Sequence, residues 1–314
     1  MGLRFVTGKV RSGKTSAIIA EIRSAVEQGS GRCLLLVPEQ YSHEAERELC
    51  ASCGDRMSLY AEVMSFSGLA RWSMGMHGGG ADVRLDKGGK LLCMALALKE
   101  LQPLLRIYGR AADNIGLQTM MVQEADRLRT AASDSTALRT ISDEVDGDLS
   151  VKLKEFALIL DTYEAAVEHA GANPEDVLSL LARQTELYGL AEFDHVYVDG
   201  FIDFTGLELK ILTAMLRRGI DLTVCLPAGD EKRGEEFFLP SEIAMETLRE
   251  TAESLGTEIT ELRVDQRERN SALAYFADHM FDYGAAPYPE NNDCIRILQA
   301  DNPRIECEAA AADI

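Results

Sequence analysis

The 314-residue sequence predicts an α/β protein built on a doubly wound parallel sheet that is interrupted by an all-helical insertion. Three observations predict it. Short apolar runs alternate with amphipathic helical patterns over residues 1–70 and again from about 190. A complete G-x-x-x-x-G-K-T pattern, Gly8-Lys-Val-Arg-Ser-Gly-Lys-Thr15, stands between the first apolar run and the first helical one. From about 90 to 188 only helical periodicity is found.

Taken in order, Leu3–Val6 reads as a short buried strand. The helix over 14–28 puts Ile18, Ile22 and Val26 on one face and stops at Gly29. Cys33–Val37 is an unbroken apolar run of the kind a central parallel strand needs, ended by Pro38. A helix is expected over roughly Glu44–Cys50, a third strand at Met57–Tyr60 and a short helix at Ser65–Trp72. Residues 73–89, with Gly78-Gly79-Gly80 and Gly88-Gly89, read as a flexible junction. Within the helical segment, Leu149, Leu153, Phe156, Leu160, Tyr163 and Val167 recur at steps of four and three, predicting a helix over 149–170. Asn173-Pro174-Glu175 supplies an N-cap, first-turn proline and acid for the next one. The α/β pattern resumes with the strand Val196–Val198, a helix over 205–218 and the strand Leu222–Leu226. Helices are expected over 241–255, closed by Gly256, and over 270–283, then a strand at Ile295–Leu298 and a last helix. That last helix breaks off at Ile314 with no capping signal, so the chain is expected to continue beyond it.

Composition narrows the function. The net charge is −20, from 52 acidic and 32 basic residues, and such a surface repels nucleic acid on average. Any contact with DNA is therefore expected to be local or shared with a basic partner. The first strand begins at once and carries Arg4, which does not resemble a signal peptide, and no apolar run reaches the roughly 20 residues of a membrane span. Seven scattered cysteines include one close pair, Cys50-x-x-Cys53, without the second pair that a zinc ribbon requires, and the five histidines show no ligand spacing. A reduced, cytoplasmic protein is the simplest account.

The chemistry resides in the loop. Gly8, Arg11, Ser12, Gly13, Lys14 and Thr15 are the expected nucleotide contacts: backbone N–H groups and the helix N-terminus cradle phosphates, Lys14 reaches the β- and γ-phosphates, and the Thr15 hydroxyl holds Mg²⁺. A second strand ending in an aspartate should support the metal, and Val196-Tyr-Val-Asp199 fits. Many ATPases place a glutamate next, to activate water; here Gly200 stands in that place, with Asp203 and Glu208 further on at no standard spacing. The chain is thus expected to bind ATP with Mg²⁺ and to hydrolyse it negligibly, with no catalytic residue assigned. An alternative reading of Asp199 is a simple strand cap.

Several segments together resemble the AddB family: the loop Gly8–Thr15, Val37-Pro-Glu-Gln40, Met64-Ser-Phe66, Val198-Asp-Gly-Phe-Ile-Asp-Phe-Thr205 and Asn302–Ile314. The Pro-Glu-Gln and Asp-Gly-Phe-x-Asp-Phe-Thr segments are the most specific. AddB is the B subunit of a bacterial helicase–nuclease related to superfamily 1 helicases, acting in double-strand-break processing for recombination. The resemblance implies residues 1–90 and 189–292 as a first RecA-like domain, 91–188 as its helical insertion and 293–314 as the start of a second RecA-like domain. It implies an AddA-type motor subunit as partner in a heterodimer, single- and double-stranded DNA as substrates, and a C-terminal nuclease domain with an iron–sulfur cluster beyond residue 314, to which the cysteines here do not belong. It also implies single-strand contacts from the loops after the strands, with Gln40, Tyr41, Ser42, Ser65 and Phe66 the candidates. Tyr41 or Phe66 could stack on a base, though Phe66 also reads as a core residue. Ser42-His43 departs from the threonine–aromatic pair expected there. Two other readings stay open: a free-standing phosphate-loop enzyme such as a small-molecule kinase, and a structural protein with an empty loop.

Overall fold

The computed structural model describes residues 2–9, 11–79, 84–172, 176–229, 235–265, 270–279 and 284–313. Six strands, β1 (Gly2–Gly8), β2 (Cys33–Leu36), β3 (Ala61–Met64), β4 (His195–Val198), β5 (Asp221–Pro227) and β6 (Glu258–Arg263), form one sheet in the order β3-β2-β4-β5-β1-β6. Every pairing is parallel. The helices are α1 (Lys14–Gln28), α2 (Ser42–Cys53), α3 (Met57–Tyr60), α4 (Phe66–His77), α5 (Lys87–Leu101), α6 (Ile115–Thr130), α7 (Ser135–Glu144), α8 (Gly147–His169), α9 (Val177–Tyr188), α10 (Gly206–Arg217), α11 (Glu235–Ser254), α12 (Ser271–His279) and α13 (Pro303–Asp313). This is the α/β, RecA-like phosphate-loop arrangement the sequence predicts, with β5 between the loop strand β1 and the aspartate strand β4.

Side chains alternate across the sheet and fill two layers. Leu3, Phe5, Leu34, Leu36, Val196, Val198, Leu222 and Val224 pack with Phe66 and Leu69 of α4, Leu181 of α9, Ile211 and Met215 of α10 and Leu248 of α11. Val6, Leu35, Tyr197 and Cys225 face the other way, under Ile18, Ile22 and Val26 of α1 and Leu49 of α2. Both faces are covered, which explains why the central strands read as unbroken apolar runs. Each fully buried Leu or Ile contributes on the order of 1.5–3 kcal/mol.

Between β3 and β4 the chain leaves along α4 and returns along α9, and these two helices pack together. The Ser73 hydroxyl donates to Gln184 Oε1 at 2.6 Å, and Gln184 Nε2 donates to the Gly78 carbonyl at 2.8 Å. Helices α5–α8 form a separate core around Met94, Leu98, Met121, Ile159 and Tyr163. Asp86, Asn114 and Asp134 cap α5, α6 and α7 through side-chain oxygens, satisfying first-turn N–H groups. Inside this core Glu155 accepts from the backbone N–H groups of Arg106 (2.6 Å), Ile107 and Tyr108 (both 3.1 Å).

The structure departs from expectation in several places. Met57–Tyr60 is a helical turn, α3, and the strand follows it at Ala61–Met64. Both ends of the 73–89 stretch are helical: α4 continues to His77, and Gly88-Gly89 sit in the first turn of α5, where Asp86 receives the Gly89 N–H at 2.8 Å. Gly80 and Asn173–Glu175 lie outside the described residues, and α9 is capped by Asp176 instead. Residues Ile295–Leu298 pair with no strand among the described residues, and Ile297 is 96% exposed. The expected helix over 270–283 is described as α12, residues 280–283 lying outside the described set. Strand β6 has no counterpart in the sequence pattern; it lies parallel to β1 from Gly2↔Glu258 to Thr7↔Arg263.

Candidate nucleotide site

The loop begins where β1 ends. A Cβ at Gly8 would meet the Val264 carbonyl oxygen at 2.3 Å and Ser12 Oγ at 2.5 Å, so no side chain fits there. Val264 is fixed in turn by its N–H donating to Thr7 O at 2.8 Å. Arg11 (φ 58°) and Gly13 (φ 97°) turn the backbone through the left-handed region, and Gly13 leads into α1. No side chain caps α1 and its first turn carries no acid, which leaves the helix N-terminus electropositive. The Ser12 hydroxyl is buried with no hydrogen-bond partner among the described residues. Lys14 Nζ donates to Gly8 O at 2.7 Å and Lys9 O at 2.9 Å, which holds the ammonium on the loop.

Asp199 follows β4, its N–H donating to Leu36 O at 3.0 Å. Its buried carboxylate accepts from the Thr15 hydroxyl at 2.6 Å, across 184 residues of sequence. Gly200 has φ 82°, and a Cβ there would meet Pro38 Cδ at 3.2 Å, so a glutamate at this position is opposed both by backbone and by space. Glu208 is occupied as the reciprocal half of a capping box, Thr205 N–H donating to it at 2.8 Å and Thr205 Oγ1 receiving its N–H at 3.3 Å. Asp203 is exposed. Cys225 of β5 lies beside Asp199, and burial, reinforced by that carboxylate, pushes its thiol far above the ordinary range. The sequence pattern marks Cys225 only as a buried strand residue.

These residues fit a magnesium nucleotide. A hydroxyl and one carboxylate are hard oxygen donors, and Mg²⁺ is typically held by one or two carboxylates plus substrate phosphates rather than by a protein cage. No group of three or more His, Cys, Asp or Glu close enough to hold a metal is found among the described residues. The orphaned Ser12 hydroxyl and the cradle at Gly8 suit a phosphate oxygen.

The single-strand candidates divide into three kinds. Gln40 and Tyr41 are exposed on the turn Glu39–Tyr41 after β2, Tyr41 at 51%. Ser42 and Ser65 are engaged: Ser42 Oγ donates to Glu39 O at 2.8 Å, while Ser65 caps α4 and donates to the Glu39 carboxylate at 2.5 Å. Phe66 is buried in the sheet core, edge-on to Phe201 with centroids 5.6 Å apart, so its ring is not at the surface. Glu39 ties the turn to α4 by accepting also from Ser67 and lying 3.8 Å from Arg71; the two serine bonds hold its carboxyl below the usual value. Nothing in its sequence setting marks Glu39 beyond its place in Pro-Glu-Gln.

A family model described as "ADDB, N-terminal" matches residues 5–277. The chain belongs to the AddB N-terminal family. The match runs from within β1 into α12 and so contains the phosphate loop, Asp199 and all of α5–α8. Among its relatives is the B subunit of an ATP-dependent helicase/deoxyribonuclease from Clostridium novyi (strain NT), 25% identical over the whole of this chain and 29% of its own length. The proteins of the same name from Symbiobacterium thermophilum and Geobacillus thermodenitrificans are each 28% identical, over 99% and 100% of this chain and 28% of their own lengths. This AddB-family chain thus spans under a third of the length of the curated relatives it matches. No helix among the described residues is long and apolar enough to cross a membrane.

Proposed function

We propose that this chain is the nucleotide-binding, N-terminal part of the B subunit of an ATP-dependent helicase–deoxyribonuclease, that it binds ATP with Mg²⁺, and that by itself it does not turn ATP over. The 2.6 Å contact between Thr15 and Asp199 carries this reading, because it brings the two oxygen donors expected around the metal together at the mouth of the loop. Lys14 neutralises phosphate charge, Ser12 and the backbone N–H groups of Gly8–Thr15 bind phosphate oxygens, and Thr15 with Asp199 would hold Mg²⁺, which supplies charge neutralisation when bound. The glycine at position 200 supports the absence of turnover, since no carboxylate follows Asp199 to orient water. The names of the relatives support a subunit of an ATP-dependent enzyme that acts on DNA; the larger assignment adds to that an AddA-type motor subunit in a heterodimer, a role in double-strand-break repair and a cytoplasmic location. In the same reading residues 1–90 and 189–292 are one RecA-like domain, 91–188 its insertion and 293–314 the start of the second. The iron–sulfur cluster belongs to a later nuclease domain. Gln40 and Tyr41 are the exposed groups for a single strand, and the charge of −20 makes that binding weak and strongly salt-dependent for this chain alone.

Equilibrium dialysis with a labelled ATP analogue and Mg²⁺ tests the site. Wild type should bind and Lys14→Ala should lose affinity by roughly 100-fold or more, given the strength of charge-assisted phosphate contacts. Equal binding by both proteins would remove the assignment.

A further inference from the structure

We propose that Cys225 is a positioning residue for the magnesium site: its thiol holds one oxygen of the Asp199 carboxylate so that the other stays aimed at Thr15. The inference rests on the nucleotide reading above, but its geometry is independent of it. Val198 pairs with Val224 and Val6 with Cys225, so continuing the register by one residue sets Asp199 directly beside Cys225. Alternation puts both on the face covered by α1, where Val6, Cys225 and Val37 are buried together. Asp199 is therefore flanked in the sheet by Val37 on the β2 side and Cys225 on the β5 side. Of these two lateral neighbours, only the thiol has a hydrogen to donate.

A buried carboxylate needs more than one partner. Asp199 is 8% exposed, and Thr15 Oγ1 supplies a single bond to Oδ2. A cation held by the Thr15 lone pairs would leave the O–H donating to Asp199, which anchors one carboxylate oxygen only; a second donor on the other oxygen would keep the group from swinging. Cys225 is suited to this task by its place. It is 1% exposed, fixed in the central strand between β1 and β4, and unable to follow the ligand.

The test compares Cys225→Ala and Cys225→Ser with wild type for the Mg²⁺ concentration that half-saturates nucleotide binding, in the 314-residue chain. Loss of one hydrogen bond to a charged group should raise that concentration about tenfold in Cys225→Ala. Cys225→Ser, which keeps a donor, should stay within about twofold of wild type. Binding in EDTA, which reads the loop and Lys14, should be equal in all three. An unchanged Mg²⁺ requirement in Cys225→Ala overturns the proposal and leaves the thiol as core filling. A second measurement needs neither nucleotide nor a cavity mutant. The S–H stretching band of wild type, compared with that of Asp199→Asn, should contain a component shifted by a carboxylate acceptor that is lost in the variant. Superimposable bands would equally overturn the proposal. Failure of wild type to bind nucleotide at all would sink the functional reading, while the S–H band would still decide the role of Cys225.

Discussion

Two acidic side chains, Asp199 just past the end of β4 and Glu155 inside the helical core, are equally buried at 8% exposure and are held in opposite ways. Glu155 is saturated by three backbone N–H groups of one turn, Arg106–Tyr108. Asp199 relies on the hydroxyl of Thr15, a group on the phosphate loop that a ligand would recruit. The first arrangement is complete and closes a turn onto a helix. The second leaves room for a ligand, because the hydroxyl that donates to Asp199 keeps its lone pairs to offer. A buried charge satisfied by backbone marks architecture; one satisfied by a side chain that chemistry can claim marks a site.

Four substitutions would break or sharpen this contrast. The largest effect is expected from Glu155→Ala, which strands three N–H groups among apolar neighbours. Unfolding monitored by urea should show a loss of about 3 kcal/mol, with nucleotide affinity unchanged within about twofold. Glu155→Gln should lie between, since its carbonyl can accept while its amide hydrogens face the same donors. A thermal and chemical stability equal to wild type in Glu155→Ala would mean water satisfies the turn. Next comes Gly200→Glu. It places a side chain at φ 82° and against Pro38, costing about 1–2 kcal/mol, and phosphate release should stay at background with single-stranded DNA present. Measurable turnover in that variant would show that only a base was missing. The smallest effect on stability belongs to Asp199→Ala, within about 1 kcal/mol of wild type because the cost of burying the charge leaves with the bond. Mg²⁺-dependent nucleotide binding should nevertheless fall about tenfold, or about 1.4 kcal/mol. If Asp199→Ala unfolds as readily as Glu155→Ala, the distinction between the two carboxylates collapses.

Much of the sheet half is legible in the sequence because local and global signals agree there. Residues 14–28 carry an apolar stripe, a loop before them and Gly29 after them, and α1 has those bounds. The geometry of the candidate site is legible for the same reason: the motif singles out Lys14 and Thr15, an apolar run ending in an acid singles out Asp199, and Thr15 meets Asp199. Edge strands are harder to read. In β6 five of six residues are exposed, so Glu258-Ile-Thr-Glu-Leu-Arg263 shows no apolar run. At β3 the more apolar segment, Met57–Tyr60, is helical and buries only Met57, while the strand carries Glu62, which pairs with Arg32. Ile295–Leu298 is apolar without a partner strand among the described residues. Nor does any local pattern foretell Glu155 or Cys225, whose meaning depends on a turn 49 residues away and on sheet register, respectively.

The order of the strands also sets the order of assembly. β2 finds β3 within 28 residues, Cys33 against Ala61, but β1, made before either of them, pairs only with β5 and β6. Leu3 must wait for Leu222, and the hydrogen bond from Gly2 to Asp221 spans 219 positions. At a synthesis rate of roughly 5–20 residues per second, the partners of that strand follow it by on the order of ten seconds or more. Phe5 and Val6, buried in the finished sheet, therefore have no strand on either side of them until β5 and β6 have been made.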